Sequence, residues 1–244
     1  MAEHKHSKKE ELAVEAHEGK ETTIEDLCVF MDKVAPVRYA EEWDNPGLLL
    51  GYLSAHVHKI MVALDLMPEV AEQAIAEECD LIVTHHPFYF HLPKTLAVTD
   101  TKMDILYELV KHGIAVYAAH TNLDAAKGGV NDVLCDKLGL HDVEEIPRTS
   151  CPEQGLARIG VLDAPMKLKA FAKKVRDTLG ATHLTYAGGE EPVYRVAVIG
   201  GSGADFMEDA LARGADTIVT GDVKYHVAQK AVNLGLNVVD GTHQ

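Results

Sequence analysis

The chain has 244 residues, 47% hydrophobic and 25% charged, and its 38 acidic side chains against 23 basic ones give a net charge of −15. That balance disfavours nucleic acid and anionic membrane surfaces as partners. No apolar run approaches the roughly 18 residues of a membrane span, the polar N-terminus has no signal-peptide pattern, and the four cysteines are too widely spaced for a disulfide frame or zinc knuckle. A cytoplasmic globular protein is expected.

Residues 1–21 are charged and lack a sustained apolar face, so they read as a disordered extension. Order is expected from Thr22, where Thr22 and Glu25 fit a capping box ahead of an Ile24, Leu27, Cys28, Met31 stripe. Glu42 to Gly51, with the only Trp at 43, reads as a packed turn leading into a strand. A strand over 59–64 and a helix opened by Pro68 follow.

Leu81-Ile-Val-Thr84 is the next strand, and His85-His86-Pro87 ends it. Neighbouring side chains on extended backbone point to opposite sides, so this pair suits two metals lying side by side better than one. A helix over 101–112, with Ile105, Leu106, Leu109 and Val110 inward, stops at Gly113. The strand 114–119 then runs into His120-Thr-Asn-Leu-Asp124, and a helix begins near Val130. Alternating strands and helices argue for an α/β fold with largely parallel sheets covered by helices.

Composition loosens between Pro147 and Pro152, which places a boundary between a first α/β domain, 22–145, and a second, 146–244. Strands at 156–162, 182–186 and 194–199 and an amphipathic helix at 168–179 are expected in the second. Gly200-Gly-Ser-Gly203, between a strand and a helix, is a candidate anion loop. The second domain also echoes the first. At an offset of 136 residues Val62/Val198, Asp80/Asp216, Ile82/Ile218, Val83/Val219 and Thr84/Thr220 are identical, so strand–helix–strand–helix–strand occurs twice. Duplicated halves packed face to face would bring their strand ends to one cleft.

His85, His86, His120, Asp124, Asp222, His226 and His243 all lie at or just past expected strand ends. Imidazole and carboxylate together suit a divalent transition metal. The stretches Trp43-Asp-Asn-Pro-Gly-Leu, Thr84-His-His-Pro, His120-Thr-Asn-Leu-Asp124, Thr220-Gly-Asp-Val-Lys-Tyr-His226 and Asp240-Gly-Thr-His243, in that order, resemble the Nif-three-like dinuclear metal centre family, known also as GTP cyclohydrolase I type 2-like.

The resemblance implies duplicated α/β domains with the metal site in the cleft between them, a homohexameric ring, and two divalent ions per subunit, zinc, iron or manganese. It implies His85, His86, Asp124 and His243 as metal ligands. It also places a glutamate four residues past His243, beyond Gln244, so the sequence is expected to be a fragment. The implied activity is metal-dependent hydrolysis of a small molecule, GTP ring opening at guanine C8; a nearby histidine, His120 or His226, is the candidate catalytic proton donor. The alternatives are a non-catalytic metal-binding or metal-delivery protein and a regulatory interaction protein.

Overall fold

A computed structural model describes residues 21–91, 93–98, 100–148 and 151–243. The expected N-terminal extension lies, but for residue 21, outside the described residues. Helix α1 (Ile24–Val34) opens with a capping box one residue later than expected: Thr23 accepts from the Asp26 amide, and Asp26 accepts from the Thr23 amide. After β1 (Gly47–Leu50) come β2 (Ile60–Ala63), α2 (Pro68–Ala76), β3 (Leu81–Thr84), α3 (Thr101–His112) and β4 (Ala115–Ala118). These strands form a sheet in the order β1-β4-β3-β2, with β2, β3 and β4 parallel and β1 antiparallel.

Both faces of β3 and β4 are covered, which is why those strands read as unbroken apolar runs; on the edge strand β2, Ile60 and Val62 are exposed. Leu81, Ala115 and Tyr117 pack under α1, while Ile82 and Val116 pack under α2 and α3. Helix α3 has the expected bounds and stops at Gly113 as expected, the glycine being left-handed, but Val110 points to solvent.

A short α4 (Thr121–Ala125) and α5 (Val130–Leu138) follow, then β5 (His141–Arg148), β6 (Cys151–Met166), α6 (Leu168–Leu179), β7 (Thr185–Ala187), β8 (Val193–Val198), α7 (Met207–Ala212), β9 (Thr217–Thr220), α8 (Tyr225–Asn233) and β10 (Asn237–Asp240). The second sheet runs β5-β6-β8-β9-β10-β7. β5 spans the expected boundary at 145/146 and lies wholly in this sheet, and α5 also packs there, through Cys135 and Leu138. Helices α5 and α6 cover one face, α7 and α8 the other. Only β8, β9 and β10 are parallel; β5, β6 and β7 add antiparallel pairings, so this sheet is mixed, not largely parallel.

The duplication reaches further than the matched residues. α1-β1-β2-α2-β3-α3-β4 and α6-β7-β8-α7-β9-α8-β10 run in the same order, and each places its first strand antiparallel beside its last. Asp80 accepts the amides of His58 and Lys59 at 2.7 and 2.8 Å, and Asp216 accepts those of Tyr194 and Arg195 at 2.9 and 2.7 Å. Each carboxylate thus pins the start of the neighbouring parallel strand in the same way. Among the described residues the β5–β6 hairpin has no counterpart in the first half. Among the described residues no helix is long and apolar enough to cross a membrane.

Candidate metal centre

The carboxyl ends of β3, β4 and β10 deliver histidines to one place. Past Thr84 the chain turns sharply, because the amides of His85 and His86 both donate to the carbonyl of Leu64, at 3.2 and 3.1 Å. The turn brings the two rings side by side, centroids 5.0 Å apart, and not to opposite sides as extended backbone would. His85 faces Asp124, its Nε2 3.7 Å from Oδ1, while the His86 ring lies 5.2 Å from that of His243. After β4, His120 caps α4, and the amides of Leu123 and Asp124 both donate to its carbonyl. One helical turn therefore puts His120 and Asp124 on the same face. Ligand atoms of His85, His86 and His120 lie within 4.8 Å of one another, a group that can hold a metal ion.

Each of the four cleft histidines is oriented through Nδ1. His85 donates to the Ala119 carbonyl at 2.8 Å, His86 to Asp65 at 2.7 Å, His120 to Asp44 at 2.8 Å and His243 to Asp222 at 2.7 Å. Nε2 is then the free atom on each ring. A partner that fixes tautomer and orientation in this way is the usual companion of a metal-binding imidazole. Asp44 is the most enclosed of these partners: its side chain has 0% exposure, and it also takes the amide and hydroxyl of Thr121. Burial works to raise the Asp44 carboxyl, but the hydrogen bonds from His120 and Thr121 outweigh it and hold the group below the usual carboxylate range.

Asp124 differs. It is buried, and its Oδ1 has no hydrogen-bond partner. Burial pushes its carboxyl up to about 7, and burial pushes His85 down to about 4. An unpartnered buried carboxylate oxygen is costly unless something pairs with it. Beside three tethered imidazoles, it fits a cation.

The cluster opens into a cleft of about 1010 Å³ between the two halves, with Trp43, Asp65 and Lys102 on one side and Thr178, Thr220 and His243 on the other. Gly201, at φ +63°, lies beneath the His243 ring: a Cβ there would come within 3.4 Å of Nε2. Gly221 packs so tightly on Thr242 that a Cβ would sit 2.8 Å from its carbonyl oxygen. The second half thus delivers His243 over a floor of bare backbone.

A family model for Duf34/NIF3 (NGG1p interacting factor 3) matches residues 22–244. The chain belongs to the DUF34/NIF3 family. It is similar to proteins named GTP cyclohydrolase 1 type 2 homolog: at 35% identity to that of Clostridium acetobutylicum, over 90% of this chain and 83% of the relative, and at 38% to that of Streptococcus pneumoniae, over 85% and 80%. Among solved structures it resembles a Staphylococcus aureus hypothetical protein (TM-score 0.85, 30% identity, 92% of this chain and 87% of the other). It also resembles a Bacillus cereus protein related to NIF3 (TM-score 0.83, 27% identity, 92% and 89%).

In this DUF34/NIF3 chain the structure brings His85, His86, His120, Asp124 and His243 to one cleft. His226 lies exposed on the first turn of α8 and is not among the cleft-lining residues. The glycine loop lines the cleft through Gly200, Gly201 and Ser202, but two of its amides are already used: Gly200 N–H donates to Asn131 and Gly203 N–H to the Thr220 hydroxyl, each at 2.7 Å. Sequence reasoning missed Asp44 and Asp65. Asp44 sits in a turn that carries part of the resemblance but was assigned no role beyond packing, and Asp65 falls just past the end of β2; their histidine partners are 76 and 21 residues away along the chain.

Proposed function

We propose that the protein is a metal-dependent hydrolase of the GTP cyclohydrolase 1 type 2 kind, binding two divalent ions, zinc, iron or manganese, through His85, His86, His120, Asp124 and His243. The observation that carries the reading is the unpartnered Asp124 oxygen beside imidazoles all tethered through Nδ1. The names of the curated relatives support a nucleotide substrate. Bound divalent ions would supply Lewis acidity and activate water near neutral pH.

The chain's own residues do the rest. Burial keeps His85 neutral at physiological pH, so its Nε2 lone pair stays available. Asp44 fixes the proton of His120 on Nδ1, and Asp65 does the same for His86. The homohexamer and the cytoplasmic location belong to the same proposal, as does a two-domain organisation, with the division placed before α5 (Val130–Leu138) because α5 and β5 pack with the second sheet.

One observation favours a second reading, a metal-binding or metal-delivery protein without catalysis: two backbone donors of the glycine loop are already spent inside the fold, so it offers less to a triphosphate. GTP turnover by chelator-stripped protein, reloaded with zinc, iron or manganese, separates the two. Turnover in reloaded wild type that is absent from His86→Ala supports the hydrolase. Full metal loading without turnover supports the carrier.

A further inference from the structure

Two large aromatic side chains stand half-exposed beside the histidine cluster. Trp43 is 53% and Phe90 44% exposed, and both line the cleft. Their ring centroids are 5.9 Å apart at 49°; Trp43 lies 5.9 Å and Phe90 5.8 Å from the His120 ring. The three rings make a nearly equilateral group, with His120 buried and the other two open to the cleft. The arrangement is held from behind. The Asn45 side chain donates to the Tyr89 carbonyl at 2.7 Å, and Lys102 Nζ donates to the Phe88 carbonyl at 3.0 Å. Asp44, the anchor of His120, is the residue next to Trp43. The turn that orients His120 therefore also sets the indole at the mouth of the cluster.

Exposed apolar rings are costly in water, and a ligand site combines such surface with a few convergent polar groups. We infer that Trp43 and Phe90 form the wall against which the planar heteroaromatic ring of the ligand stacks, the ring being a nucleobase, with its reacting edge turned toward His120 and the cluster. The inference rests on the reading of the cluster as a metal centre facing a nucleotide, and it assigns specificity to the ring, not to the triphosphate. It accounts for a nucleotide site in an acidic chain whose glycine loop has two amides already bonded within the fold: aromatic stacking recognises a base without cationic side chains.

Trp43 is the only tryptophan, so its emission reports directly on the wall. In full-length, metal-loaded protein GTP and guanosine should quench it saturably, and tripolyphosphate should not. By calorimetry Trp43→Ala and Phe90→Ala should each weaken GTP binding about tenfold without changing metal content, and Trp43→Phe should restore most of the affinity. Unchanged GTP affinity in both alanine variants, or equal quenching by tripolyphosphate, would overturn the inference. So would an indole that acrylamide cannot reach in ligand-free protein, since the wall would then be covered by protein. The two readings fail separately. Ring binding without turnover removes the hydrolase and leaves the wall; turnover with unchanged KM in both alanine variants removes the wall and leaves the hydrolase.

Discussion

Asp44 Oδ1 lies 2.8 Å from His120 Nδ1 although 76 residues separate them. The contact joins the turn before β1 to the end of β4, the strand against which β1 pairs. Because Asp44 is enclosed and His120 is buried, the bond fixes one tautomer and one ring direction. Asp44→Ala should weaken divalent metal binding about 10- to 100-fold, measured by competition with a chelating dye. Asp44→Asn, which keeps an acceptor for Nδ1–H, should recover part of it. Equal affinity in all three proteins would remove Asp44 from the site.

Metal-free protein should show two opposing pH dependences. Burial lowers His85 from 6.5 to about 4, so the unfolded chain takes up its proton first and stability is lost as pH falls through that interval. Burial raises Asp124 from 3.8 to about 7, so the folded chain holds a proton that the unfolded chain releases, and stability is lost as pH rises from 3.8 to about 7. Asp124→Asn removes only the second effect. Stripped of metal, it should melt above stripped wild type at pH 7 and lose stability more steeply between pH 6.5 and pH 4. Equal melting temperatures at pH 7 would contradict the burial argument.

Arg158 joins the two halves. Only 2% exposed, it pairs with Asp132 on α5 and donates to the carbonyls of Gly155 and Ala125, the latter adjacent to Asp124. Arg158→Met leaves these acceptors without their donor. It should cost about 3 kcal/mol in urea unfolding and lower metal affinity by loosening α4. Wild-type stability would show that water satisfies the same carbonyls.

The paired carboxylates of the duplication should behave alike. Asp80→Ala and Asp216→Ala each orphan two strand-opening amides and should each cost about 1–3 kcal/mol. A large loss in one and none in the other would mean that the halves use the carboxylate differently.

What was legible in the sequence was what neighbouring residues decide. The apolar run before His85, the helix stop at Gly113 and the four-residue spacing of His120 and Asp124 each follow from local pattern, and each stands where expected. The same holds for the repeat, because identical residues such as Asp80 and Asp216 do identical work. Long-range pairing was not legible. β1 and β7 are four- and three-residue strands whose antiparallel places are set by β4 and β10. Asp44 and Asp65 gain their roles only when folding brings a distant histidine to them, and a turn carboxylate looks the same in sequence whether or not one arrives. His226 shows the converse: it falls beside a motif, yet α8 leaves it exposed.

The central claim is that tethered imidazoles and an unpartnered carboxylate make a dinuclear metal centre. Elemental analysis of protein stripped with chelator, reloaded and desalted tests it most directly, with His86→Ala and Asp124→Asn alongside. The account predicts two ions per chain in wild type and fewer in either variant. A reloaded wild type that retains no metal, or variants that retain as much as wild type, would contradict it.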